Sequence, residues 1–234
     1  MQSNKRKMGN PMHHNILLIN PWIHDFTAFN LWSKPIGLLH IASTLQHSGY
    51  KVHLIDCLHN YEYPLKQRSY GTSNFFTQEI EKPLIFKDVP RRFKRYGISP
   101  DEFLSKLNGL PVPLLVCITS HMTYWYPGVF ETIRVVKNAF PAVPIALGGI
   151  NAGLCHKHAK DNSGADYVVK GPGEFEVLKL ADNLSGKKRN YGQFEAWSED
   201  KALPAYELYD RLNSVSMLTS RGCPFSSFAL GGWF

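Results

Sequence analysis

No apolar stretch in this chain approaches the roughly 18 residues that a membrane-crossing helix requires. The basic start, Met-Gln-Ser-Asn-Lys-Arg-Lys, is not followed by an apolar segment with a small-residue cleavage site, so the sequence reads as cytoplasmic, with no signal peptide and no membrane partner. Cysteine is scarce. Cys57, Cys117, Cys155 and Cys223 are far apart and match no paired zinc-ligand spacing, so they read as reduced thiols. Cys57 and Cys117, at strand ends in apolar surroundings, read as core fillers. Residues 20–34 contain no glycine. That excludes both the Gly-x-Gly-x-x-Gly dinucleotide fingerprint and a phosphate-binding Gly-Lys-Ser/Thr loop at the first strand-to-helix joint. No histidine pairs convincingly with a carboxylate. His156 and His158 sit two residues apart on an expected helix and so point apart, whereas His24 and His121 lie in loops from which they can reach a ligand.

The 234 residues amount to one domain and part of another at roughly 150 residues per domain. With 44% hydrophobic and 19% charged residues, the composition is that of a globular protein. The net charge is +7 and the cations are grouped: Lys5 to Lys7, Lys87 to Arg95, and Lys187 to Arg189. Such groups read first as solvated surface. Only the second interleaves aromatics, with Phe86, Phe93 and Tyr96, as single-strand nucleic-acid binders do.

Along the chain, strands alternate with helices. Expected strands are Asn15-Ile-Leu-Leu-Ile-Asn20, Lys51-Val-His-Leu-Ile-Asp56, residues 113–119, 143–147 and 166–170. Expected helices run from Pro35 towards Gly49, then over 128–140, 152–161 and 175–184. Short joints between such elements make parallel βαβ units, and five of these strands make a doubly wound five-stranded parallel sheet of the Rossmann or flavodoxin-like kind. Residues 1–12 read as a mobile tail and 13–185 as this domain. Residues 60–110 read as an insertion with helices over 77–82 and 101–108, placed as a lid over the ligand face or packed at the side. Residues 186–213 read as a connector, and 214–219 as a further strand opening a second domain over 214–234.

In open parallel sheets ligands sit beyond the carboxyl ends of the strands. Small or polar residues mark four of those ends: Asn20-Pro21, Thr119-Ser120 with Thr123, Gly148-Gly149, and Gly171-Pro-Gly173-Glu174. Four such ends together suit a large, flat ligand with an extended tail. The alternative is that the glycines make turns and the hydroxyls cap helices. Trp22, Phe26, Phe29 and Trp32 make the first loop aromatic, either packing over the sheet edge or covering a flat ligand.

Taken in order, Asn15-Ile-Leu-Leu-Ile-Asn-Pro21, Lys34-Pro-Ile-Gly-Leu-Leu39, Leu54-Ile-Asp56, Gly148-Gly149, Gly164-Ala-Asp-Tyr-Val-Val-Lys-Gly-Pro-Gly-Glu174 and Ser220-Arg-Gly-Cys-Pro-Phe225 resemble the cobalamin-binding domain of B12-dependent radical S-adenosylmethionine proteins and the start of its radical domain. The resemblance covers residues 14–226. It implies cobalamin held with its nucleotide tail lowered into the sheet and no histidine on cobalt. Asn20, Pro21, Thr119, Ser120, Thr123, Gly148, Gly149, Gly171, Gly173 and Glu174 are then the cobalamin-binding residues. In the intact family the cofactor usually shuttles a methyl group or assists another radical step.

The family's Cys-x-x-x-Cys-x-x-Cys motif holds a [4Fe–4S] cluster that binds S-adenosylmethionine. Here Cys223 matches the first ligand, while Ser227 and Leu230 stand at the second and third positions. Neither cluster nor S-adenosylmethionine is therefore expected to bind, and the chain reads as a cobalamin module that is catalytically inactive without the barrel. The departure after Ser226 reads as a frameshift, a premature stop or a fragment boundary. The alternative reading is a scaffold or substrate-recognition domain without cobalamin, its cations at Lys87 to Arg95 taking an anionic substrate such as RNA.

Overall fold

Short runs of aliphatic residues form the central strands, and alternate side chains feed two separate cores. The computed structural model describes residues 14–29, 34–59, 75–191, 203–212 and 214–217. Five parallel strands, β1 (Asn15–Asn20), β3 (Lys51–Asp56), β6 (Leu115–Ile118), β7 (Ile145–Leu147) and β8 (Tyr167–Val168), lie in the order β3-β1-β6-β7-β8. β1 pairs with β3 from Asn15↔Lys51 to Asn20↔Asp56, and with β6 from Ile16↔Leu115 to Ile19↔Ile118. The chain builds outward from β1 to β3, then crosses to the other side of β1. The switch point between β1 and β6 is where such folds leave a crevice.

The period of two is visible in burial. Ile16, Leu18, Leu115, Cys117 and Ala146 face one core, shared with Leu38, Ala42 and Leu45 of α1 (Ile36–His47) and Val177, Leu178 and Ala181 of α6 (Gly173–Ser185). Leu17, Ile19, Val116, Ile118, Ile145 and Leu147 face the other. There they meet Phe103 and Leu107 of α2 (Pro100–Asn108), Val129, Ile133 and Val136 of α3 (Tyr126–Ala139), and Ala152 and Ala159 of α4 (Ile150–Leu154) and α5 (His156–Asn162). Two helices thus cover one face and four the other. The single helix expected over 152–161 is two, broken at Cys155, whose backbone (φ −109°, ψ 39°) leaves the helical region.

The insertion departs from expectation in one element. Within residues 77–82, read as helical, Thr77–Glu79 form instead a strand, β4. All three of its side chains are exposed, so no apolar stripe exists to bury a helix, and the backbone pairs with β5 (Lys94–Tyr96). β5 in turn pairs antiparallel with β2 (Ile23–Asp25) from the first loop. The resulting small sheet is fixed to α3. Arg95 makes a two-pronged contact with Glu131, and His24 Nε2 lies 2.7 Å from the same carboxylate. Burial alone would raise the Glu131 carboxyl, but His24 and Arg95 outweigh it and hold its pKa at about 2. The small sheet is therefore tied to α3 through Glu131.

The stretch expected as connector returns to the sheet. Ala205 donates its N–H to Leu39 O at 3.1 Å, and Ala205 and Tyr209 are buried. Residues 214–217, expected to begin a strand, pair with no strand, and 218–219 lie outside the described residues. No helix among the described residues is long and apolar enough to cross a membrane.

Candidate functional site

At the carboxyl ends of β6, β7 and β8 a cleft of about 190 Å³ opens between α1 and α6. Thr119, Gly148, Gly149, Gly171, Gly173 and Glu174 all lie on its walls, brought together from three strand ends. Gly37, Leu38 and Ile41 of α1 and Cys117 of β6 also line it. A Cβ added at Gly37 or Gly148 would meet no atom within 4 Å, so these two positions keep space open rather than relieve a clash. The thiol of Cys117 is pushed up to about 12 by burial and stays protonated, an apolar wall and not a nucleophile.

The neighbouring Gly149 has a different task. Its φ is +92° and ψ −169°, a conformation essentially confined to glycine. A Cβ there would fall 2.2 Å from Ser120 O. Ser120 is buried and cements this turn: its hydroxyl donates to Gly148 O at 2.7 Å and accepts from Ala152 N–H at 3.3 Å, and its carbonyl accepts from Ile150 N–H at 2.8 Å. Ser120 therefore shapes the cleft from behind. Thr123 opens a short 3-10 turn, Thr123–Trp125, and its carbonyl accepts from Asn151 Nδ2 at 3.1 Å. It is not on the cleft wall.

Asn20 and Pro21 belong to a second polar group, at the ends of β1 and β3. Both are buried. Asn20 Nδ2 donates to Asp56 Oδ1 at 2.7 Å, and His121 Nε2 lies 3.2 Å from Asn20 Oδ1. Tyr209 donates its hydroxyl to Asp56 Oδ2 at 2.6 Å. Lys34 Nζ sits 3.0 Å from His59 Nδ1 and 4.7 Å from the centre of the Tyr209 ring. Burial lowers the pKa values of Lys34, His59 and His121, with Asp56 opposing in each case. No sequence signal joins Tyr209 to Asp56, which lie 153 residues apart.

The remaining sequence candidates separate. Trp22 is buried against Phe103, donating its indole N–H to Ile98 O at 2.8 Å. Phe26 packs on Phe86 and Phe93. Both rings are packing, Phe29 is 54% exposed, and Trp32 lies outside the described residues. His24 is committed to Glu131. His156 Nδ1 meets Ala152 O, while His158 stacks on Phe130. Among the cations at Lys87 to Arg95, Arg91 donates to Thr27, Arg92 faces Glu79 and Arg95 holds Glu131. Cys57 and Cys117 are buried as expected. Cys223, Ser227 and Leu230 lie outside the described residues, among which no three His, Cys, Asp or Glu side chains converge as a metal site.

The fold and the cleft define a doubly wound α/β protein with an open site at its strand ends. No protein-family model matches the chain. It is 24% identical over 188 residues to the cytidylyl-2-hydroxyethylphosphonate methyltransferase of Streptomyces wedmorensis, an alignment covering 77% of this chain and 31% of that protein. The chain thus spans about a third of the length of this relative. Among solved structures it is similar to the RcsB response regulator of Salmonella typhimurium, 14% identical, with a TM-score of 0.41 over 80% of this chain and 67% of that one. That likeness is too loose to bear on function.

Proposed function

We propose that the chain is a cobalamin-binding module related to B12-dependent radical enzymes, with the cleft between α1 and α6 receiving the cofactor's nucleotide tail. The observation that carries this is the cleft itself. Three glycine- or hydroxyl-bearing strand ends converge on it, and Gly37 and Gly148 leave it open where any side chain would fill it. At about 190 Å³ it is smaller than the roughly 300–1,000 Å³ of pockets that engulf a whole ligand. It suits one ring system of a larger molecule whose remainder lies outside, over the strand-end loops. The N-terminus of α6, with its N–H groups free of helical partners, opens at Gly173 on the cleft wall and supplies donors to an oxygen-rich tail.

The chain's own residues would hold and orient the cofactor; cobalamin would supply a cobalt able to carry a methyl group. The distant relative is a methyltransferase, in keeping with methyl transfer as the parent activity. With Ser227 and Leu230 at two of the three cluster positions, the chain by itself binds cofactor without radical chemistry.

The test is gel filtration of the chain with hydroxocobalamin, for the wild type and for Gly148→Leu. The wild type is expected to elute with the cobalamin absorbance. The variant, at whose position an added Cβ meets no atom within 4 Å, is expected to elute folded and colourless. Absence of colour from both, or equal colour on both, would refute the cleft as the binding site.

A further inference from the structure

The two most exposed large apolar side chains among the described residues are neighbours, Leu84 at 87% and Ile85 at 85%. They belong to a 3-10 turn, Leu84–Phe86, in the loop between β4 and β5. The turn is held from beneath. The Phe86 N–H donates to Pro83 O at 2.8 Å, the Val89 N–H to Phe86 O at 3.0 Å, and Lys82 Nζ to Val89 O at 2.6 Å. The Phe86 ring packs on Phe26 and Phe93, its centroid 5.5 and 6.2 Å from theirs. This framework orders the turn while leaving two aliphatic side chains in water, an unfavourable exposure that a covering surface would remove.

The charge around the turn says what that surface is. Residues 82–95 hold six lysines and arginines against one acid, Asp88. Lys87 directly follows the turn and is exposed, and its side chain makes no ion pair among the described residues. Arg92 meets Glu79 only at 3.6 Å, on the open surface. Charge complementarity therefore calls for an anionic partner. Single-stranded RNA would need exposed rings to stack on, and Phe93 and Tyr96 of this segment are buried. A stable protein interface buries about 800 Å² on each partner, far more than two aliphatic side chains offer. A lipid surface needs no matching pocket. Aliphatic side chains enter the acyl boundary while flanking cations stay among the headgroups.

We propose that this turn docks the protein on an anionic lipid surface, with Leu84 and Ile85 entering the interface and Lys87 and Arg92 facing the headgroups. Such attachment is peripheral and needs no spanning helix. It departs from the sequence expectation of no membrane partner, which rested on the lack of a spanning segment. It does not depend on what the cleft binds.

The experiment is co-sedimentation of the full chain with vesicles, of phosphatidylcholine alone or of phosphatidylcholine and phosphatidylserine at roughly two to one. The wild type is expected to bind the mixed vesicles at least about tenfold more tightly than the neutral ones. The double variant Leu84→Ser/Ile85→Ser should bind the mixed vesicles at least about tenfold more weakly, because its apolar insertion is gone. Lys87→Gln should weaken binding about fivefold, roughly what one cation near an anionic surface contributes. All three positions are exposed, so the variants keep the packing beneath the turn. No sedimentation of the wild type overturns the proposal. Binding that the double variant retains also overturns it, because the cations of the chain then act without the turn. Failure on vesicles, with binding to poly-L-glutamate that the double variant loses, overturns it in favour of an acidic protein partner.

Discussion

Gly148 and Gly149 are adjacent and alike in sequence, yet the structure gives them opposite sensitivities. At Gly149, φ is +92° with ψ −169°, and a Cβ would fall 2.2 Å from Ser120 O and 2.7 Å from Ser120 N. An alanine there bears roughly 1–3 kcal/mol of backbone strain. It must also displace the Ser120 backbone, weakening the 2.8 Å bond from Ile150 N–H to Ser120 O, for roughly 1–3 kcal/mol more. The combined expectation for Gly149→Ala is a loss of about 4 kcal/mol. At Gly148 the added Cβ meets nothing within 4 Å. Because alanine also restricts the unfolded chain, Gly148→Ala should change stability by less than about 1 kcal/mol. The assay is urea unfolding followed by tryptophan fluorescence. For an unfolding slope of about 2 kcal/mol per M, the midpoint should fall by about 2 M for Gly149→Ala and move by less than about 0.5 M for Gly148→Ala. Comparable midpoints for the two variants would refute this account of the turn that forms the cleft floor.

Glu131 gives a pH dependence with a definite sign. Its carboxyl falls from an ordinary 4.5 to about 2 in the folded protein, so its stabilisation is present above pH 4.5 and is lost as the pH falls towards 2. Discounted for partial solvent screening, the loss is on the order of 2 kcal/mol. Urea midpoints should fall more steeply over that window for wild type than for Glu131→Gln, and parallel curves would contradict the ion pair that fixes the insertion to α3. Tyr209→Phe removes the 2.6 Å donor to Asp56 Oδ2 and should cost roughly 1.5–3 kcal/mol in the same assay. A change under about 0.5 kcal/mol would mean that residues 203–212 contribute little to holding the buried carboxylate.

The doubly wound sheet was legible because its signals are local. The aliphatic runs 15–20 and 51–56 give β1 and β3 at the bounds expected, and the apolar spacing after Pro35 gives α1. The small sheet of β2, β4 and β5 was not, because each strand has only three residues and β2 finds its partner far along the chain, Ile23 opposite Tyr96. Half-legible is the fair description of the site. Glycines and hydroxyls at strand ends marked the cleft walls, since backbone approach there needs small residues. They did not separate Ser120, which supports the turn from behind, from Thr119, which faces the cleft. The α1 wall was hidden for a related reason. Helical periodicity reports that Leu38 is interior but not which strand ends the helix overhangs. Asp56 read only as the last residue of a strand, because two of its three hydrogen-bond donors, Asn20 and Tyr209, are distant in sequence.

The most direct measurement is equilibrium binding of hydroxocobalamin against cobinamide, which has the corrin but lacks the nucleotide tail. With the tail seated between α1 and α6, cobinamide should bind at least about tenfold more weakly, a difference of about 1.4 kcal/mol or more. Equal affinity for the two, or none for either, would contradict the assignment of the cleft to the tail.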